Sequence, residues 1–162
     1  MHSRKLIKQK FQEIIIAANT DAGDNVQRNR WIPDDDDEFP LVRIYAVSEP
    51  VEQNDIEVDR RKLDVIIESV CNGIIADEEL DELTDDIENA LIQDLTLQGT
   101  VSNIQLKITE ISQDEGSGSS IVAARMTYEV EYFTARTADD PTDDFETVEI
   151  TGGIRDSIEL DQ

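Results

Sequence analysis

Residues 19–45 read Asn19-Thr20-Asp21-Ala22-Gly23-Asp24-Asn25-Val26-Gln27-Arg28-Asn29-Arg30-Trp31-Ile32-Pro33, then Asp34-Asp35-Asp36-Asp37-Glu38, then Phe39-Pro40-Leu41-Val42-Arg43-Ile44-Tyr45. Asn19 and the Asp21–Asn25 cluster around Gly23 have the composition that stops a helix and turns the chain. Leu41 to Val47 is rich in branched residues, and Pro40 stands where the first position of a strand tolerates proline. The stretch is therefore a helix stop, a turn-rich loop and the beginning of a strand, with helix expected before it and sheet after it.

Before it, Ile7, Phe11, Ile14, Ile15 and Ala18 recur at helical spacing, while Lys8, Lys10, Gln12 and Glu13 fall mostly on the other side. That is an amphipathic helix from about Ser3 to Ala18 whose apolar stripe covers another layer. After it, Leu63, Val65 and Ile67 alternate within Lys62–Val70, as expected of a strand with one buried face. The polar linker from Ser48 to Asp59 is longer than a tight turn and reads as a projecting hairpin tip.

Asn72-Gly73 breaks that strand, and Asp77-Glu78-Glu79 places a capping Asp and two acids where a helix macrodipole favours negative charge. Leu80, Leu83, Ile87, Ala90 and Leu91 carry a second apolar stripe as far as Asp94, opposite Asp81, Glu82, Asp85, Asp86 and Glu88. Ile104, Leu106 and Ile108 then alternate with polar residues, as do Val122, Ala124, Met126, Tyr128, Val130 and Tyr132. Between them, 113–120 has the composition of a flexible hairpin loop. The expected fold class is α+β: an antiparallel four-stranded sheet in the order α-β-β-α-β-β, with two amphipathic helices packed on one face. Residues 1–134 form this domain. Residues 135–162 form an acidic C-terminal arm in which Phe145, Val148 and Ile150 are spaced for docking on a neighbouring subunit, by strand addition to an open sheet edge.

The chain of 162 residues has a formal charge of −24. Such a charge opposes binding to DNA or to an anionic membrane, so neither partner is expected. It also raises a salt-rich host as a hypothesis. No stretch approaches the ~20 apolar residues of a spanning helix. Charged and polar residues interrupt the N-terminal apolar run, so a soluble, cytoplasmic chain is expected rather than one with a signal peptide. The single histidine, His2, stands at a fraying terminus, and the lone Cys71 lies among apolar residues and reads as an inert buried thiol. Neither a nucleotide-binding glycine pattern nor a CxxC is present. No enzyme activity, catalytic residue or cofactor is expected. Asp34–Glu38 lacks calcium-loop spacing and reads as a solvated loop rather than a metal site. Trp31 fits either an interface anchor or a cap on the core.

Ten of the fourteen Lys and Arg residues precede Leu63, whereas the acidic helix and arm lie in the second half. This asymmetry suits a heterologous contact, in which one copy's positive half meets the next copy's negative half and a ring closes. Ordinary charge balancing within the chain would also account for it.

The Asn19-Thr20, Ala22-Gly23 and Val26–Arg30 loop, Pro33 and the Phe39–Tyr45 strand opening resemble the tail terminator (tail completion) proteins of long-tailed viruses of bacteria or archaea. So do the amphipathic first helix, the second helix after the second strand, and Met126-Thr127-Tyr128-Glu129-Val130. The acidic run and the arm have no counterpart in that pattern. The resemblance implies a small α/β virion protein of the tail or neck, assembled in the host cytoplasm. It implies a homo-oligomeric ring, a hexamer, that caps the tail tube, ends its polymerisation and offers the head-joining surface. The partners implied are other copies of itself, the tail tube protein and a head–tail connector or neck protein. Candidate interface residues are Asn19, Thr20, Gly23, Arg28, Arg30, Trp31, Arg60, Arg61, Phe145, Val148 and Ile150, with the Gly23 loop and the 48–59 and 113–120 tips as contact surfaces. Two other readings stay open: an acidic DNA mimic that inhibits a nucleic-acid-binding protein, and another neck or tail connector.

Overall fold

The computed structural model describes residues 2–30, 38–114 and 120–136. Helix α1 spans Ser3–Ala17, opened by the His2 ring, whose Nδ1 accepts the Arg4 amide at 3.2 Å. Its stripe buries Ile7, Phe11 and Ile15. The stop is where the composition placed it: Asn19 takes a left-handed φ of 51° and its amide donates to the Ile16 carbonyl at 3.1 Å. Asparagine is among the few side chains that enter that region readily. Gly23, at φ +53°, closes the following turn by donating to the Thr20 carbonyl at 2.9 Å.

The sheet corrects the expectation of four antiparallel strands in the order α-β-β-α-β-β. Six strands are described, β1 Val26–Gln27, β2 Leu41–Ser48, β3 Val51–Gln53, β4 Val58–Asn72, β5 Asn103–Asp114 and β6 Ile121–Ala135, with helix α2 at Ala76–Ile92 between β4 and β5. They form one mixed sheet in the order β1-β2-β4-β6-β5, with β3 also on β4. β1 runs parallel to β2, pairing Val26 with Val42; the other pairs are antiparallel. Two residues cannot show an alternation, which is why β1 reads as loop in the sequence.

β3 is hidden for a different reason: all three of its residues are exposed, so no apolar period marks it. β2 and β3 pair successively with β4, separated by a bulge after Ala46 and by Pro50, which lacks an amide. The Pro50 carbonyl still accepts the Lys62 amide at 3.1 Å. The linker read as a long polar tip is thus mostly paired, leaving a turn at 54–57. There Asp55 Oδ1 accepts the Glu57 and Val58 amides, each at 2.8 Å. β4 and β6 are paired from Val58–Ala135 to Asn72–Ile121, so β3, β4 and β6 make a three-stranded arm at one end of the sheet.

Both helices cover one face: α1 packs on β1 and β2, α2 on β4 and β6, and the helices touch each other. The core between the layers gathers Ile7, Phe11, Ile15, Val42, Ile44, Leu63, Val65, Ile67, Leu80, Leu83, Ile87, Met126 and Val130. Phe11 meets Tyr128 in a tilted pair, centroids 5.9 Å apart at 57°. α2 begins at Ala76 with Ile75 as its cap, so Asp77 lies inside the first turn rather than capping it. Ile108, expected beside Ile104 and Leu106, departs from their face. A register shift between Leu106 and Ile108 inverts the phase of β5, and Ile108 is 51% exposed beside Thr127.

The face away from the helices is also partly buried. Leu41, Ile66 and Val70 are inaccessible there, and Arg43, Glu68 and Arg125 form a rung across three neighbouring strands. Arg43 bonds Glu68 closely, Arg125 lies 3.5 Å from it, and Tyr45 donates its hydroxyl to it at 2.9 Å.

Candidate functional site

A groove of about 410 Å³ lies where the start of α1, the chain after β1 and the middle of β2 meet. Arg4, Lys5 and Lys8 line it from α1, Arg28 and Arg30 from the segment after β1, and Tyr45 and Ala46 form part of its wall. Arg4 and Lys8 are one helical turn apart and share a face. Arg30 is held in place: its guanidinium donates to the Ala46 carbonyl and lies over the Tyr45 ring, 5.3 Å from the centroid. The Tyr45 phenol is pushed above its ordinary range by burial first and by its bond to Glu68 second. Among the described residues Lys5, Lys8, Arg28 and Arg30 make no salt bridge, and half-exposed Arg4 only approaches Glu49 at 3.7 Å. In a chain of charge −24, a groove with this many cations is an anion-attracting feature that general composition would not produce.

The sequence candidates separate in space. Arg28 and Arg30 line the groove. Asn19 and Gly23 are exposed in the turn after α1, whereas Thr20 is buried and its hydroxyl finds no partner among the described residues. Arg60 and Arg61 lie on the arm and are engaged within the chain. Arg60 Nε donates to Glu131 at 2.8 Å, and Arg61 bonds Glu49 at 3.2 Å and the Thr134 hydroxyl at 2.8 Å. Trp31, Phe145, Val148 and Ile150, the Asp34–Asp37 run and the C-terminal arm from 137 onward lie outside the described residues. The 113–120 tip is described only at its ends.

Three groove residues, Arg4, Lys5 and Lys8, were absent from the sequence-derived interface set, although they counted in the charge asymmetry. The signal available for them was their position: cations in the first turns of a helix, where the macrodipole favours anions. Glu49, which joins α1, β4 and β6, carried no signal, because its three partners come from distant parts of the chain.

Two other features lie outside the groove. A pocket of about 290 Å³ opens between the end of α2 and β5, walled by Leu91, Ile92, Leu95, Ile104, Leu106 and Tyr128. Cys71 is fully buried, and burial, then Glu79 and Asp21, push its thiol up to about 11. No group of three or more metal-ligating side chains is found among the described residues. No described helix is long and apolar enough to cross a membrane.

No family model matches the chain, and no curated protein matches it. Among solved structures, the fold is similar to a chain of the virion of a native gene transfer agent particle, with a TM-score of 0.48 and 12% identity. The likeness covers 76% of this chain and 90% of that one.

Proposed function

We propose that this chain is a structural protein of a viral tail, of the tail terminator kind, working as a ring that caps the tail tube and presents the surface for the head. The observation that carries this reading is the 19–45 stretch, whose residues resemble that family. Its described part forms the helix stop at Asn19, the Gly23 turn and the parallel β1–β2 edge that holds Arg28 and Arg30 at the surface. The role is assembly rather than catalysis, in the virion, with other copies of the chain, the tube protein and a connector as partners.

The arm supports the same reading. It places an exposed turn, with Ile56 at its tip, at the end of the paired β4 and β6 strands, and projecting turns on a rigid scaffold are common contact surfaces. The DNA-mimic alternative is favoured by the acidic face of α2 and disfavoured by the cationic groove, which would repel a basic target.

The test is to add purified chain to polymerising tail tube protein from the same virus and image the ends. Rings on tube ends, with elongation arrested, are expected. A strict monomer that ignores tubes and captures a basic nucleic-acid-binding protein would overturn the reading.

A further inference from the structure

Both helices are charged against their own interest. α1 has no acid in its first turn and carries Arg4 and Lys5 there, facing the positive end of its own dipole. α2 carries Asp77, Glu78, Glu79, Asp81, Glu82, Asp85, Asp86 and Glu88 with no Lys or Arg. Its first-turn acids suit the dipole, but the series Asp77/Asp81/Asp85 and Glu78/Glu82/Asp86 stack like charges at i, i+4, and such pairs destabilise a helix. No salt bridge involves any α2 acid among the described residues. Two local conflicts of opposite sign in one chain are the pattern left when a surface is shaped for something outside the subunit.

The sheet order sets these two surfaces apart. α1 and the groove lie over the β1–β2 side, and α2 over β4 and β6, farther toward β5. A cationic surface on one side and an anionic one on the other favour a head-to-tail contact between identical subunits, which propagates or closes into a ring. We infer that the groove lined by Arg4, Lys5, Lys8, Arg28 and Arg30 receives the acidic face of α2 from a second copy of this chain. Arg30, fixed over Tyr45, is the preorganised element of the groove, and the lysines that line it supply adaptable charge. The inference deepens the ring reading and rests on it.

The experiment uses two full-length variants and tube-free as well as tube-bound assembly. In one, Lys5→Glu, Lys8→Glu and Arg28→Glu reverse the groove. In the other, Asp81→Lys, Glu82→Lys and Asp85→Lys reverse the helix. Circular dichroism checks that both fold. Sedimentation velocity at low and high salt, and imaging on tube ends, read assembly. Each variant alone should lose about tenfold or more in self-association, and an equimolar mixture should regain it, because each reversed surface then meets its complement. Wild-type association should weaken as salt rises past ~0.15 M. If the reversed-groove variant assembles like wild type, or the mixture fails to recover, the groove–helix contact is wrong while the ring reading stands. If wild type neither self-associates nor binds tube ends, both fall. If the groove instead binds a heparin probe, and its reversal abolishes that binding while leaving assembly intact, it is a polyanion site and the inference is overturned.

Discussion

Replacing Glu49 with alanine should loosen the three-stranded arm where it joins α1. The Glu49 side chain, 12% exposed, accepts the Tyr132 hydroxyl with one oxygen; the other accepts Arg61 at 3.2 Å and lies 3.7 Å from Arg4 Nε. The three contacts differ in worth. Tyr132 is 4% exposed, so its hydroxyl would be left buried without its acceptor, at a cost of about 1–3 kcal/mol. Arg61 is 27% exposed and recovers water, so its ion pair contributes at most ~1 kcal/mol. Arg4, half exposed, adds almost nothing. The sum is about 1–4 kcal/mol, at roughly 2–4 °C in Tm per kcal/mol for a chain of this size. Glu49→Gln keeps an acceptor oxygen and should cost only ~1 kcal/mol. Thermal unfolding of Glu49→Ala, Tyr132→Phe and the double variant forms a cycle whose coupling should be ~1 kcal/mol. A Glu49→Ala protein as stable as wild type, or an additive cycle, would refute the assignment of Glu49 as the joint of the arm.

Three further outcomes follow from the core. Phe11→Ala should cost about 3–5 kcal/mol in denaturant unfolding, and a cycle with Tyr128→Leu should assign ~0.5–1.5 kcal/mol of it to the ring pair. All three tyrosines, Tyr45, Tyr128 and Tyr132, have pKa values raised mainly by burial. Their contribution to stability is therefore complete below the unfolded tyrosine pKa of about 10 and declines as pH rises above it. Absorbance titration near 295 nm should show less phenolate in the folded protein at pH 10 than in the unfolded chain, with a further rise on alkaline unfolding. Cys71, with its thiol near 11 and fully buried, should resist a thiol-specific chromogenic disulfide at pH 8 until denaturant is added; rapid labelling of the native protein would contradict this.

The helices were legible because each writes its buried face at a period its own residues complete: Ile7, Phe11 and Ile15 in α1, Leu80, Leu83, Ile87 and Leu91 in α2. The long strands were legible for the same reason, though β4 begins at Val58 rather than Lys62. Its first turns of chain are charged, and what makes them strand is pairing with β3 and β6 rather than an apolar period. β1, β3 and the inversion before Ile108 depend on a neighbouring strand and leave no mark in one segment read alone. The site divides along the same line. Arg28 and Arg30 stood out within one loop, but the groove needs α1, that loop and β2 together.

The Arg43–Glu68–Arg125 rung has a consequence for how the sheet finds itself. On the helix-covered face, sliding β2 by two residues would set Val42, Ile44 and Ala46 opposite Ile67, Val65 and Leu63, still apolar against apolar. On the opposite face the slide is not silent. It would set Arg43 beside Ile66 or Val70 instead of Glu68, stranding a cation against hydrocarbon in a nearly closed environment. The joint replacement Arg43→Met, Glu68→Leu and Tyr45→Phe, the last removing the hydroxyl that Glu68 accepts, should therefore retain stability while admitting alternative cross-strand contacts by NMR; a single unchanged register would remove the rung from this role. Working this way, the rung is an alignment mark: it adds little to how firmly the strands hold, and decides which of several equally greasy alignments they settle into.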